Sequence, residues 1–229
     1  MYTGDVELQR LNRQRATDEV YEALRHGILG DLFQPGERLN IGDIASKLGV
    51  SLTPVRHAVQ QLTAEGLVEI RPRSGTYVAS LSAKDLEETS QIRCALECLA
   101  AELAVERITT GELSSVREVL DALGRPVETE EDQKRHEADN LRFHALLIEA
   151  SGNGKLGEMY ESLRAHLQIA RVHSRQSGWA DRLRQEHAEH EEVFAALEAR
   201  DAARLKRALR QHIFRAKDDL IADLPGEGE

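Results

Sequence analysis

Residues 41–79 read IGDIASKLGVSLTPVRHAVQQLTAEGLVEIRPRSGTYVA, and this stretch decides the architecture of the first part of the chain. A short helix runs from about Ile41 to Leu48 and is stopped by Gly49. Ser51 or Leu52 opens a second helix, with Pro54 in its first turn, where a missing N–H costs nothing. Val55, Val59 and Leu62 form its apolar stripe, and Gly66 closes it. Two β-type runs follow, Leu67–Arg71 and Thr76–Ala79, around a basic hairpin tip, Pro72-Arg73-Ser74-Gly75. Upstream, Val20, Leu24 and Ile28 recur every four residues. Thr17 or the residues just before it cap that helix, Gly30 ends it, and Phe33-Gln34-Pro35-Gly36 reads as a turn. Helix, helix, turn, helix, hairpin is the order of a winged helix-turn-helix, expected over residues 16–80 behind a flexible segment, residues 1–15.

Beyond residue 80 the strand signal disappears. Ser82 with Asp85, Thr109 with Glu112, and Thr129 with Asp132 each place a capping residue three positions before an acid, the signature of a helix start. The helices they open end near Ile108, at Gly124, and near Ser151-Gly152-Asn153. A fourth spans about Gly154 to Ser174. After a loop at Arg175–Ala180, a fifth covers Asp181–Arg200, and Asp201 caps a sixth to about Leu220. Six helices with short joints predict an antiparallel bundle over residues 81–222, followed by a tail at 223–229. The expected fold is therefore mostly α, a winged helix-turn-helix followed by a six-helix bundle.

Composition agrees with a soluble helical protein. Of 229 residues, 41% are apolar, 31% charged and only 4% aromatic. No run approaches the ~18 apolar residues of a membrane span, and the N-terminus lacks an apolar signal core, so a cytoplasmic protein with no membrane partner is expected. Cys94 and Cys98, four residues apart on one helix, form no disulfide framework and read as packing residues. The net charge of −10 argues against a polycation that coats nucleic acid. Residues 1–80 hold 9 Lys and Arg against 10 Asp and Glu, so a phosphate-binding surface there requires clustering of the cations.

Such a cluster is legible. Ser51 and Thr53, with Pro54, sit at a helix N-terminus, where short polar side chains and outward N–H groups favour a phosphate. Arg56 lies one turn on, opposite the apolar stripe, in reach of a guanine edge or a phosphate. Arg71 and Arg73 flank the wing tip and can enter a minor groove or touch the backbone. Read blandly, Ser51 is only a cap and Arg56 a solvated side chain.

The bundle carries a second constellation. His144, His190 and His212 fall on or beside apolar stripes of three different helices, and Asn140 shares the His144 face at i, i+4. A buried imidazole needs a partner, and one divalent cation satisfies three. Three nitrogens and one oxygen with a position left open suit Zn²⁺; Ni²⁺ and Mn²⁺ are also compatible. His187, three residues before His190, is an alternative ligand. His26, His57, His136, His166 and His173 read as ordinary core or boundary residues.

The runs Pro35-Gly36-Glu37-Arg38-Leu39, Ile44–Ser51, Thr53-Pro54-Val55-Arg56 and Leu62–Val68 resemble the GntR family of bacterial transcription regulators. The second half resembles the FCD ligand-binding domain of the FadR-type branch, through Asn140-Leu141-Arg142-Phe143-His144, Ala150–Asn153, Glu189-His190 and Gln211-His212-Ile213. The resemblance implies a homodimer on operator DNA, a cation held by Asn140, His144, His190 and His212, and a small organic acid as effector, with Arg93 near the pocket. Arg93 can equally form a salt bridge with a Glu. Two departures matter. Leu52 stands where the family commonly has Arg, so no operator sequence carries over, and Asn140 replaces the more frequent Asp.

A metal-dependent helical-bundle enzyme is the competing reading. His187-Ala188-Glu189-His190 lacks zincin spacing, and no Glu-x-x-His pair, G-x-S-x-G or Walker loop occurs. A structural metal in an interaction module is a third.

Overall fold

A computed structural model describes residues 13–30, 32–80, 82–172 and 179–224, without the side chains of residues 13, 14, 130 and 164–181. The expectation of a flexible segment over residues 1–12, and the readings of the His166 and His173 side chains, lie outside the described residues. So do residues 173 and 174 of the expected fourth helix, residues 175–178 of the expected loop and residues 225–229 of the tail. The chain divides into two compact units, Met1–Ser80 and Leu81–Glu229.

In the first unit, α1 (Arg13–Leu29) is followed by β1 (Arg38–Leu39), α2 (Ile41–Leu48), α3 (Leu52–Ala64), β2 (Val68–Arg71) and β3 (Gly75–Val78). Two details correct the sequence reading. First, α1 begins at Arg13, so Thr17 is not its cap but a buried residue in its second turn. The polar run Arg13–Arg15 consists of good helix formers, which need no apolar periodicity to join a helix already packed at Val20, Leu24 and Ile28. Second, the turn at Gln34–Glu37, closed by Glu37 N–H on Gln34 O at 2.9 Å, lays Arg38 and Leu39 beside the hairpin as an extra strand. The sheet order is β1-β3-β2, all antiparallel, with Leu39 opposite Thr76 and Arg71 opposite Gly75. A two-residue strand has no periodicity to detect.

Asn40 caps α2 by accepting from the N–H groups of Gly42 and Asp43. Gly49 ends it at φ 66°, a left-handed conformation that glycine adopts without strain. The core joins Val20, Leu24 and Ile28 of α1 to Val55, Ala58, Val59 and Leu62 of α3, closed by Leu67 and Val78. Truncating one such Leu to Ala costs about 2–5 kcal/mol.

Among the described residues the second unit contains six helices: α4 (Ala83–Arg107), α5 (Thr110–Leu123), α6 (Glu130–Ala150), α7 (Gly154–Val172), α8 (Trp179–Glu198) and α9 (Ala202–Ala222). All three expected capping boxes are present, at Ser82–Asp85, Thr109–Glu112 and Thr129–Asp132. Asp201 caps α9 through the Arg204 N–H. Helix α8 starts at Trp179, two residues before its expected start. Helix α4 packs against α9, α6 and α7, and α8 against α9. With α5, which packs against α6 and α8, they share a core that includes Ala100, Ala104, Leu120, Phe143, Leu147, Leu197, Leu205 and Leu209. Arg200, at φ 54°, donates to the Val105 carbonyl at 2.7 Å and to that of Ile108, satisfying acceptors exposed where α4 ends. Among the described residues no helix is long and apolar enough to cross a membrane.

Candidate metal centre and nucleic-acid interface

Helix α6 presents His136, Asn140 and His144 at successive four-residue steps, which places them along one face. Helix α8 brings His190 and α9 brings His212. Asn140, His190 and His212 are fully buried and His144 is 1% exposed, an unusual density of polar groups inside an apolar core. The three imidazoles converge. Their ring centroids lie 5.3 Å (His144–His190), 5.1 Å (His144–His212) and 4.4 Å (His190–His212) apart. One nitrogen from each falls within 4.8 Å of the others, so the three can hold a cation between them.

The far side of this cluster is built from residues that the sequence reading did not single out. His144 Nδ1 lies 2.8 Å from Glu97 Oε2, and His212 Nδ1 lies 2.9 Å from Glu189 Oε2. A carboxylate only accepts, so each Nδ1 carries a proton, and in a neutral ring this leaves Nε2 as a lone pair turned inward. This carboxylate–imidazole pairing orients rings that ligate metals. His144 Nε2 meets His190 Nε2 at 3.3 Å, whereas the buried His212 Nε2 has no hydrogen-bond partner among the described residues. Burial pushes the His212 imidazolium well below its ordinary pKa, and the neighbouring His144 and Arg93 push the same way, against Glu186 and Glu97. A neutral ring with an inward lone pair and no partner is what a divalent cation requires, so the donor set fits one.

The carboxylates are themselves held. Glu97 is wholly buried, yet it stays ionised: burial opposes its charge, but Arg93 and His144 outweigh it and hold the carboxyl well below the usual range. Arg93 Nε donates to Glu97 Oε1 at 2.6 Å, and the Tyr160 hydroxyl donates to the same oxygen at 2.9 Å. Arg93, 5% exposed, is thus a buried partner of the acid one turn along its own helix. Arg215 clamps Glu189 with two bonds of 2.7 and 2.8 Å. Asn140 donates its amide Nδ2 to Glu186 Oε1, whose other oxygen lies 3.7 Å from His136 Nε2.

His187 stands outside the cluster, 3.8 Å from Glu191 and against Gly124. Cys94 is buried and its sulfur lies 3.9 Å from that of Cys98. Convergence of the His rings had a sequence signal in their periodicity. The acids behind them had none, because a Glu on a helix reads as solvated until its neighbours are known.

In the winged unit, Ser51 stands at the N-cap of α3 with extended backbone, but its hydroxyl makes no capping bond. Thr53 and Arg56 are exposed and Pro54 is half-buried, while Val55 and Val59 anchor the helix in the core. Arg73 occupies the wing tip at φ 63°. Arg56 and Arg73 make no ion pair among the described residues. Arg71 differs: it pairs with Glu69 at 3.0 Å and covers the Tyr77 ring at 4.5 Å. Arg38, given no role beyond its place in the resemblance, lays its guanidinium beside Gly75 at the tip end of the wing. Its placement depends on β1, which the sequence did not announce.

Known proteins match both units. Residues 16–78 match the model of the gntR family of bacterial regulatory proteins, and residues 88–215 match the FCD domain. The chain is 31% identical over 67% of its length to YdhC, an HTH-type transcriptional regulator of Bacillus subtilis (strain 168), covering 69% of that protein. It is also 31% identical to RspR, an HTH-type transcriptional repressor of Escherichia coli (strain K12), across 91% of this chain and 90% of that one. The solved structure of E. coli McbR/YncC superposes with a TM-score of 0.72 at 26% identity, covering 90% of this chain and 97% of that one. Such proteins are transcription regulators and not enzymes, which sets aside the bundle-enzyme reading. The chain belongs to the GntR family of bacterial transcription regulators, in the branch that joins a winged helix-turn-helix to an FCD domain.

Proposed function

We propose that this cytoplasmic regulator binds operator DNA as a homodimer and that a small organic acid, bound at a divalent cation in the helical domain, controls its affinity. The observation that carries this reading is the inward Nε2 of His212, buried without a hydrogen-bond partner beside two further imidazoles. Asn140, His144, His190 and His212 hold the cation, Zn²⁺ first among the candidates and Ni²⁺ or Mn²⁺ next. When bound, the ion supplies a positive coordination position that a carboxylate oxygen can fill. Arg93 adds its remaining guanidinium N–H groups at the effector side. Glu97 and Glu189 keep His144 and His212 in the tautomer that ligates.

The reading head uses Ser51, Thr53 and Pro54 to seat the α3 N-terminus on a phosphate. Arg56 reaches a base edge, and Arg71 and Arg73 follow the flanking backbone or minor groove. A two-fold dimer spaces its half-sites by about one duplex turn or a multiple. The effector changes DNA affinity only by favouring one arrangement of the two heads.

The test is a thermal-shift screen of small organic acids on the full chain, with and without chelator. A ligand that binds only the folded state raises the melting point. We expect Zn²⁺ to raise it, one or more acids to raise it further, and chelator to cancel both. Acids that stabilise equally with chelator present would refute a metal-borne effector site.

A further inference from the structure

Three inner-facing groups of the cluster share one feature: each hands a proton outward to a carboxylate. His144 donates to Glu97, His212 to Glu189, and Asn140 to Glu186. For the imidazoles this bond selects a tautomer. For the amide it does something different. A carboxylate accepts only, so the bond turns Nδ2 toward Glu186 and leaves Oδ1 as the one atom of Asn140 able to ligate. Donating from the nitrogen to an anion also draws the amide toward its charge-separated form, which builds negative charge on Oδ1. Hard divalent cations prefer carboxylate to neutral amide oxygen. Three imidazoles and an amide bring no negative charge of their own.

We infer that Glu186 is a positioning residue for the cation site: through its hydrogen bond with Asn140 it makes a neutral amide serve as the oxygen ligand where a carboxylate would ordinarily stand. The inference rests on the cation reading above. His136 Nε2 lies 3.7 Å from the second oxygen of Glu186, one turn before Asn140 on the same helix face. Its charge is felt at His212 as well.

The experiment is competition for Zn²⁺ against a chromophoric chelator at fixed pH, on the full chain and four variants, with melting points of the metal-free proteins recorded alongside. Wild type binds about one Zn²⁺ per chain. Glu186→Gln, which keeps an acceptor for Nδ2 but removes the charge, binds about 10–100-fold more weakly. On an Asn140→Ala background, Glu186→Gln has no further effect, because the amide that transmits it is gone. The exchange variant Asn140→Asp/Glu186→Gln returns the affinity to at least the wild-type level, and serves even where Glu186→Gln alone folds poorly. Wild-type affinity in Glu186→Gln, or a full loss persisting on the Asn140→Ala background, overturns the role of Glu186 while leaving the cation site standing. Absence of Zn²⁺ binding in the wild type overturns both.

Discussion

In the helical domain Glu97 is fully buried and closed by Arg93 at 2.6 Å, while in the winged domain Arg56 and Arg73 stand exposed with no ion-pair partner among the described residues. The same residue types do opposite work. Inside the bundle the charges of Glu97 and Glu189 are held against Arg93 and Arg215, around three buried imidazoles that face one another. On the reading head the cations are kept from local acids, which leaves them to an outside anion. Arg71 marks the boundary between these modes, because Glu69 and Tyr77 already hold it. A binding site made by burial depends on its own charge pairs for folding. One made by exposure can lose a charge at no cost in stability.

The largest expected effect follows from that contrast. Arg93→Ala leaves the Glu97 carboxylate buried without its guanidinium and should lower stability by about 3–5 kcal/mol, read by urea unfolding of the metal-free protein. A change below ~1 kcal/mol would mean that the pair is not integral to the bundle. Arg56→Ala should do the reverse, leaving stability within about 0.5 kcal/mol while weakening binding to an operator selected from a random duplex pool by about 1–3 kcal/mol. Equal operator affinity in a gel-shift titration would remove Arg56 from the reading surface.

The wing sharpens the comparison within one domain. Arg73→Ala should reduce the salt dependence of operator binding by about one unit of slope, and Arg71→Ala by less, since Glu69 competes for its charge. Equal slopes for the two variants would show that the Glu69 pair opens on DNA. The smallest effect concerns the start of α6, where the Thr129 hydroxyl and Arg135 lower the pKa of the exposed Asp132 from 3.8 to about 2. Because the folded state holds this carboxylate ionised, its contribution is present above about pH 4 and fades as pH falls toward 2. Amide protection in the first turn of α6, taken relative to the intrinsic exchange rate at each pH, should therefore fall across that window in the wild type and not in Asp132→Asn. Parallel curves would assign the acid response to other groups.

Local chemistry made much of this legible. The caps at Ser82, Thr109 and Thr129 announce three helices, and Gly49 announces the turn of the reading head. The three converging histidines were legible through apolar periodicity, because a polar residue in a buried stripe stands out. Hidden from the sequence was whatever depends on the register between helices. Glu97 meets His144 across 47 positions and Asn140 meets Glu186 across 46, and no pattern within one helix announces either pair. The same holds for β1, whose two residues become a strand only because β3 lies beside them.

The most direct measurement is the metal content of the purified full chain and of His212→Ala, by elemental analysis after loading with Zn²⁺ and exhaustive desalting. We predict about one ion per chain in the wild type and none in the variant, with the helical circular dichroism of both unchanged. A wild-type chain that retains no ion, or a His212→Ala chain that retains as much, would contradict the cation site on which the sensing half depends.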